Sequence, residues 1–409
     1  MLESATARVQ CILYIVIQSW FPSILRENMK ISYFCNPTNL NQSRDYLEIL
    51  TEVREIALFC EESGFDTIWF AEHHFSIWGR EMLPNPIVMG TDIAARTKRI
   101  RIGLAAAIIT FWHPLRLAED VALLDQLSDG RVELGLGRGN YGIEGLNLNP
   151  LADPNKPEEN YAVFADTLNV LKLAFANKRF GYTGKKYTFP YPGFNKDRAH
   201  TVLLNDYVDQ DSGEMVKISV YPQPRQRPGP PLWQVVDGDR SIEFAAKNDL
   251  GIIMWRPTVK GLKVRFDLYR ETARAAGLEV GPGERCGVMR DVFVAETEMD
   301  AKRLAGDAVM GTLNFSNWRG PSIFLNPGEV LSASLQSKLE DQLDYDFVKP
   351  RCLLFGTPEQ VADQMLELRD ELNVEQVLVN CHWPGLPHES TMRSMRLFVD
   401  EVMPRLCSK

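Results

Sequence analysis

Residues 101–136, RIGLAAAIITFWHPLRLAEDVALLDQLSDGRVELGL, contain the pattern that decides the fold. Arg101–Ala106 is an apolar run typical of a buried strand, and Pro114 suits the first turn of a helix that continues to Leu127. Val132–Leu136 is a second apolar run of strand length. A strand, a helix and a second strand in this order predict a βα unit in a parallel sheet.

The same alternation continues in both directions from this stretch. Six further strand-like runs are Ile31–Phe34, Thr67–Phe70, Leu232–Val236, Gly251–Met254, Val288–Val294 and Gln376–Val379. Helical patterns lie between them, at Leu47–Phe59, Glu158–Phe175, Val259–Ala276 and Met392–Val402. Eight strands, each followed by a helix, predict an α/β fold, a (β/α)8 TIM barrel, because open doubly wound sheets usually have about five to seven strands. Two long interruptions predict insertions after strands 4 and 7, at Gly181–Pro231 and Thr312–Pro350.

The composition indicates which kind of molecule the protein binds. The 409 residues include 45 Lys+Arg and 54 Asp+Glu, for a net charge of −9, and no basic stripe that a nucleic acid would need. We therefore expect a small-molecule partner and no nucleic acid. The seven cysteines lie far apart without C-x-x-C, which favours reduced thiols and a cytoplasmic protein.

The beginning of the sequence is expected to lie outside the folded domain. Its longest apolar stretch, Cys11–Phe21, is shorter than a membrane span and lacks the features of a signal peptide. We predict an N-terminal extension over residues 1–28, a single domain over residues 29–409 and no association with a membrane.

In a TIM barrel the reactive side chains follow the carboxyl ends of the strands. Residues in these positions are Asn36, Glu72-His73-His74-Phe75, Ala105-Ala106-Ala107, Arg138-Gly139-Asn140, Asp237 to Ser241, Trp255 and Asn380-Cys381-His382. We treat this set as the candidate site.

Glu72, His73 and His74 allow three interpretations. A metal site is disfavoured, because adjacent residues in an extended segment point to opposite faces and no third ligand lies nearby in sequence. The histidines could end the strand for structural reasons. Alternatively, one of them is a proton donor or anion stabiliser, a role that suits imidazole near neutral pH.

Two further segments could hold a ligand. Gly137–Gly142 matches G-x-G-x-x-G, but the prolines within Gly145–Pro157 predict a loop rather than the helix that a dinucleotide fingerprint requires. The glycines could let the backbone approach a flat ligand beside the Arg138 charge, or they could form a tight turn with a solvated arginine. Asp237–Ser241 precedes a helix expected around Ile242, and either phosphate binding or helix capping explains its composition.

Aromatic residues near the strand ends predict the wall of a substrate pocket. Phe75, Trp78, Trp112 and Trp255 are assigned to it. Trp69 and Trp233 are interpreted as core residues, and His113 as a residue that caps or orders the start of the helix after strand 3.

From Met29 to Leu406 the sequence resembles the bacterial luciferase-like flavin monooxygenases, specifically their luciferase alpha-chain branch. The resemblance rests on the joint order of several motifs: Gly64–Trp69, Glu72–Phe75, Asn85-Pro86, His113–Asp120, Leu124–Arg131, Gly137–Gly139, Gly356–Glu359, Met395–Phe398 and Val402–Pro404.

The resemblance implies a TIM barrel that binds reduced FMN, which reacts with O2 to give a flavin peroxide that oxygenates an organic substrate. It implies that His73 is the catalytic histidine, with Glu72 and His74 beside it. Ala105 and Ala106 match a segment with a non-proline cis peptide below the flavin ring. The remaining cofactor-binding positions are Arg138 and Gly139 beside the flavin, and Gly238, Arg240 and Ser241 in the phosphate loop.

The sequence departs from luciferase at three places. Gly137 stands where luciferase has a reactive cysteine, so light emission is not implied. Gly238 and Arg240 stand where luciferase has hydroxyl residues, and Gly181–Pro231 is longer than its luciferase counterpart. The substrate therefore does not follow from the resemblance.

The function predicted from the sequence is a cytoplasmic FMNH2-dependent monooxygenase that acts on an apolar or natural-product-like substrate. We expect a separate flavin reductase to supply the reduced FMN, no metal ion, and a homodimer. A deazaflavin-dependent oxidoreductase and a non-catalytic flavin-binding subunit are the alternatives. The sequence leaves open the substrate and the choice between hydroxylation, Baeyer–Villiger oxidation and N-oxidation.

Overall fold

The computed structural model describes residues 29–200, 202–317 and 320–407. The predicted extension, residues 1–28, lies outside the described residues. Within the described part of the chain, no helix has both the length and the apolar character needed to cross a membrane.

The strands of the described residues are short and mostly buried. In chain order they are β1 (Lys30–Cys35), β2 (Thr67–Phe70), β3 (Arg101–Ile108), β4 (Val132–Gly137), β5 (Tyr182–Thr183), β6 (Thr188–Phe189), β7 (Leu232–Val235), β8 (Gly251–Trp255), β9 (Cys286–Val294), β10 (Leu353–Gly356) and β11 (Gln376–Asn380).

Helices alternate with these strands. In chain order they are α1 (Tyr46–Ser63), α2 (Pro86–Arg96), α3 (Pro114–Leu127), α4 (Gly142–Leu148), α5 (Pro157–Ala176), α6 (Lys196–Ala199), α7 (Asp239–Lys247), α8 (Val259–Ala275), α9 (Glu298–Phe315), α10 (Ala333–Asp341), α11 (Tyr345–Cys352), α12 (Pro358–Leu372), α13 (His388–Leu397) and α14 (Met403–Cys407). A π-helical turn, Phe398–Val402, joins α13 to α14.

Nine strands form one sheet in the order β10-β9-β11-β1-β2-β3-β4-β7-β8, and an additional pairing of β8 with β9 closes it. The observed architecture is the predicted (β/α)8 TIM barrel, and each of the eight predicted runs is one of its strands. The predicted insertion after the fourth barrel strand, β4, contains the antiparallel hairpin β5–β6. The predicted insertion after the seventh barrel strand, which is β9, contains α10 and α11.

Strand β10 was not predicted. Its four residues pair with the last part of β9, from Leu353 opposite Asp291 to Gly356 opposite Val294. On its other side, β9 pairs with β11 from Gly287 to Asp291, and the first part of β9 also pairs with β8. A four-residue apolar run directly after a helix has no periodicity that distinguishes a strand from the end of that helix.

The helical segments differ from the predictions at several places. The segment predicted as loop from Gly145 begins inside α4, because the first proline, Pro150, comes after this helix has ended. Helix α7 begins at Asp239 rather than Ile242, because Gly238 is its N-terminal capping position. Helix α13 begins at His388 rather than Met392, directly after Pro387.

The chain forms two compact units, and we describe each by itself. One comprises residues 70–75 and 83–232, and we call it the histidine unit. Its core includes Gly90, where an added Cβ would lie 2.8 Å from Ile102. The other comprises the residues up to 69, 76–82 and 233 onward, and we call it the tryptophan unit. Its core contains the predicted core pair Trp69 and Trp233, whose rings meet edge to face at 6.2 Å.

Candidate active site

The centre of the histidine unit is a buried carboxylate, Glu72, which is 1% exposed. Its Oε2 accepts the backbone N–H of Ile108 at 2.7 Å, and its Oε1 accepts the indole N–H of Trp112 at 2.9 Å. The Nε2 atom of His74 lies 3.0 Å from the same Oε1. Glu72 therefore connects strand β3, the loop after it and His74 through hydrogen bonds.

A second buried carboxylate, Glu144 of α4, orients the two histidines. Its Oε1 accepts the backbone N–H of His74 at 2.7 Å and lies 3.2 Å from Nδ1 of His73. A carboxylate only accepts hydrogen bonds, so this contact favours the His73 tautomer with a proton on Nδ1, in which Nε2 is the basic nitrogen. The His73 ring lies 5.5 Å from the ring of Tyr141.

Glu144 was missed at the sequence level. It lies 71 residues after His73, directly before the segment that we predicted as loop. No spacing rule connects the two positions, because the closed barrel brings strand ends together independently of their separation in sequence.

Strands β3 and β4 approach each other closely where small residues lie side by side. The peptide bond between Ala105 and Ala106 is cis, and the β3–β4 register shifts between Leu104 and Ala107. An added Cβ at Gly137 would lie 3.0 Å from Cβ of Ala106 and 2.6 Å from Cδ1 of Ile108. The backbones approach too closely here for any side chain at position 137 without a shift of its neighbours.

Arg138 and Gly139 directly follow strand β4. Gly139 has a φ of +79°, and an added Cβ would lie 2.7 Å from the Phe111 ring. The Arg138 guanidinium donates to Oδ1 of buried Asn160 at 3.0 Å and lies 3.9 Å over the Tyr161 ring. Arg138 is thus an anchored charge rather than the freely solvated arginine of the alternative interpretation.

The four predicted pocket residues fall into different units. In the histidine unit, Trp112 donates to Glu72, and half-exposed Phe75 lies 5.8 Å from the His74 ring. In the tryptophan unit, Trp78 packs edge to face against Phe315 at 5.6 Å, and Trp255 ends strand β8.

His113 occupies the N-terminal capping position of α3, but its side chain makes no capping hydrogen bond, so the capping role is wrong. Its ring instead contacts Tyr187 at 6.2 Å and Phe189 at 5.5 Å, both in the insertion after strand 4. The aromatic contacts partly remove the imidazole from water, and this burial lowers the pKa of His113.

The candidate phosphate loop begins α7 in the tryptophan unit. The Ser241 hydroxyl donates to the Gly238 carbonyl at 2.7 Å, and the N–H groups of Asp237 and Gly238 approach its oxygen at 3.3 Å. Ser241 therefore stabilises the start of the helix, as the capping interpretation requires. The space beside Gly238 is open, with no atom within 4 Å of an added Cβ.

Residues 29–375 match the family model of the luciferase-like monooxygenases. The chain belongs to this family. It is accordingly an oxidoreductase of the flavin-dependent monooxygenase class.

Two curated relatives illustrate the range of the luciferase-like monooxygenases. The alkanal monooxygenase alpha chain of Photorhabdus luminescens is 26% identical over 88% of this chain and 93% of its own length. The oxygenase component of the flavin-dependent trigonelline monooxygenase of Acinetobacter baylyi is 22% identical over 92% of this chain and 95% of its own length.

Solved structures share the fold. A monooxygenase from Streptomyces bottropensis superimposes with a TM-score of 0.71 at 23% identity, covering 92% of this chain and 99% of that chain. The oxygenating constituent of 3,6-diketocamphane monooxygenase from Pseudomonas putida, in complex with FMN, has a TM-score of 0.70 at 20% identity, covering 92% and 98%. An F420-dependent secondary alcohol dehydrogenase has a TM-score of 0.64 at 17% identity, covering 93% and 99%.

Proposed function

We propose that this luciferase-like monooxygenase uses reduced FMN and O2 to oxygenate an apolar organic substrate in the cytoplasm, and that a separate flavin reductase supplies the reduced FMN. The observation that carries the proposal is the His73–Glu144 pair in the same unit as the small residues Ala105, Ala106, Gly137 and Gly139.

The residues present fit a flavin. A planar tricyclic ring needs a flat surface without large side chains, and we propose that the small residues Ala105 and Ala106, packed against Gly137, provide it. Arg138 of the histidine unit, a fixed cation, suits an electron-rich ring. Taken by itself, the start of α7 in the tryptophan unit, from Gly238 to Ser241, suits a phosphate group. When bound, reduced flavin supplies the activation of O2 that no amino-acid side chain provides.

The residues of the histidine unit orient groups and exchange protons. Glu144 holds Nδ1 of His73, so Nε2 is the atom at which a proton is accepted or donated during oxygen transfer. Glu72 keeps His74 and Trp112 in place through its own hydrogen bonds. The Trp112 indole and the Phe111 ring also limit the access of water, which favours oxygen transfer over release of hydrogen peroxide.

The names of the relatives guide the substrate class that we propose. Their names include monooxygenases of an alkanal, of trigonelline and of 2,5-diketocamphane, and Phe75 and Trp255 of this chain present apolar rings with accessible surface. We propose a substrate with an apolar or cyclic body and one polar group at the site of oxidation.

The direct test supplies purified protein with enzymatically reduced FMN, O2 and each of three compounds: a long-chain alkanal, trigonelline and 2,5-diketocamphane. Oxygenated product from at least one compound supports the proposal. Hydrogen peroxide alone with all three contradicts the proposed substrate class and favours the non-catalytic flavin-binding alternative.

The fold similarity to an F420-dependent dehydrogenase makes a deazaflavin enzyme the second candidate. Parallel titrations with reduced FMN and reduced F420 separate the two. Tight binding of F420 and oxidation of an alcohol without O2 consumption would establish the second candidate in place of the first.

We also propose a homodimer formed through α2 and α3. Both helices belong to the histidine unit and carry large apolar side chains that water reaches: Val88 is 65%, Leu123 48% and Leu127 57% exposed. Such side chains grouped on two neighbouring helices are typical of an interface between subunits.

A further inference from the structure

The tryptophan unit contains a buried carboxylate that the proposed chemistry leaves unused. Asp291 lies in strand β9, is 1% exposed, and pairs with both neighbouring strands, with Leu353 of β10 and Asn380 of β11. Burying a carboxylate is unfavourable unless hydrogen bonds satisfy its oxygens. The position therefore needs a physical explanation.

Three neutral N–H groups satisfy Asp291. Its Oδ1 accepts the Asn380 amide and the Trp383 indole, each at 2.8 Å, and its Oδ2 accepts the Trp255 indole at 2.9 Å. Burial raises the pKa of the Asp291 carboxyl above its usual range, and the hydrogen bonds from Trp383, Trp255 and Asn380 oppose that rise. The carboxylate thus connects the ends of β8 and β11 through their side chains.

The two indoles differ in exposure. Trp383 is 1% exposed and packs within the apolar cluster around Phe293 and Phe355. Trp255 also packs against this cluster but is only partly buried, so part of its surface stays accessible. The Oδ1 atom of Asp291 therefore accepts a hydrogen bond from the buried indole of Trp383, and Oδ2 accepts one from the more accessible indole of Trp255.

Trp255 is held from two sides. Asp291 fixes the edge that carries the indole N–H, and the guanidinium of Arg256 lies 3.9 Å over the ring. Arg256 is itself anchored to Ser316 at the end of α9, where it donates to the carbonyl and the hydroxyl. An indole with a fixed edge and a fixed face has few rotamers, and its accessible surface is a preorganised apolar plane.

We propose that Asp291 is a positioning residue for the organic substrate: it fixes the Trp255 indole, against which the flat or cyclic apolar body of the substrate stacks. This inference rests on the proposed function and on the assignment of Trp255 to the substrate pocket made from the sequence. Aliphatic chains, which offer no plane, are expected to depend less on Asp291 than ring compounds do.

The test uses the variant Asp291→Asn, which preserves size and removes the charge. The amide oxygen will take the position that receives two donors, Asn380 and Trp383, so the amide NH2 group faces the indole N–H of Trp255 and that hydrogen bond is lost. The matched control is Trp383→Phe, which removes one donor from Oδ1 and leaves the Trp255 bond intact.

The first readout needs neither flavin nor substrate. Acrylamide quenching of the Trp255 fluorescence is isolated by subtracting the signal of the same protein carrying Trp255→Phe. We expect Trp255 to become more accessible to acrylamide in Asp291→Asn and to remain as in the wild type in Trp383→Phe. Equal quenching in both variants would overturn the inference.

The second readout is the KM for the ring compound that the wild-type enzyme oxygenates. Loss of one hydrogen bond to a charged group predicts a rise in KM of about tenfold in Asp291→Asn, with kcat within about threefold of the wild type. In a Trp255→Phe background the same substitution should change KM less than about twofold. An undiminished rise in that background would show that Asp291 does not act through Trp255.

Trp255→Phe alone tests the same bond if Asp291→Asn does not fold. It should raise the KM for the ring compound, and an unchanged KM would overturn the inference. Failure of the proposed function is distinguishable: no compound would then be oxygenated by any variant, while the quenching experiment would still decide whether Asp291 holds Trp255.

Discussion

At the scale of single residues, the site is built from two carboxylates with different tasks. Glu72 holds neighbouring groups through three contacts, whereas Glu144 contacts both histidines. The run Glu72-His73-His74 is visible in the sequence because the residues are adjacent. Glu144 could not be predicted, because its contact with His73 exists only after the barrel has closed.

Replacing Glu144 by Gln should slow oxygenation by about tenfold to a hundredfold, because the amide no longer fixes the proton on Nδ1 of His73. Single-turnover kinetics with reduced FMN measures the effect. Glu159→Gln, an exposed substitution on α5, is the matched control and should leave the rate unchanged. A rate for Glu144→Gln equal to that of the control would show that Glu144 does not contribute to oxygenation.

His382 predicts a dependence of stability on pH. Burial lowers its pKa from 6.5 to about 4, its Nε2 lies 3.1 Å from the Thr38 hydroxyl, and its Nδ1 has no partner among the described residues. The unfolded chain therefore binds a proton at His382 that the folded chain does not bind between these two pH values.

The contribution of His382 to the free energy of unfolding is fully present above pH 6.5. It falls by up to about 3 kcal/mol as the pH is lowered to about 4. Urea unfolding of the wild type and of His382→Gln across this range measures it. The wild type should lose more stability than the variant on acidification, and parallel curves would refute the prediction.

At the scale of elements, apolar runs and helix starts were enough to place all eight barrel strands. These patterns did not predict β10 and α4. Both are short segments whose structure depends on contacts with other parts of the chain rather than on a pattern in their own sequence. The cis peptide at Ala105-Ala106 was expected from the family resemblance alone. Nothing in two consecutive alanines predicts it.

The contact between β3 and β4 makes position 137 intolerant of a side chain. Gly137→Ala should destabilise the protein by about 1–3 kcal/mol and weaken FMN binding, because the new methyl group meets Ala106 and Ile108. Denaturant unfolding and flavin fluorescence titration measure the two effects. Adding Ile108→Val should recover part of the stability; full stability in Gly137→Ala alone would show that the strands have room for a side chain.

At the scale of the whole molecule, the family and the fold were predictable because many motifs occur in one order along the chain. The substrate was not, since it depends on the insertions and on aromatic side chains whose placement no local pattern fixes. Trp112 and Phe75 share the histidine unit with His73, whereas Trp78 and Trp255 belong to the other unit.

Assembly is tested through the exposed apolar side chains of α2 and α3. A Val88→Asp, Leu123→Asp double variant should convert the proposed dimer to a monomer, because each subunit would bury charges at the interface. Light scattering after size exclusion measures the mass. The control Val264→Asp changes an exposed position on α8 and should leave the mass at that of the dimer. A dimer that survives the double variant would place the interface elsewhere.

The most direct test of the central claim is the incorporation of isotopically labelled dioxygen by the wild type and by His73→Ala, each supplied with reduced FMN and the compound that the wild type oxygenates. We predict one labelled oxygen atom in the wild-type product. In His73→Ala we predict little product and mainly labelled hydrogen peroxide, with FMN affinity close to that of the wild type. Unlabelled product, or equal labelled product from both proteins, would contradict a reduced-flavin oxygenase that depends on His73.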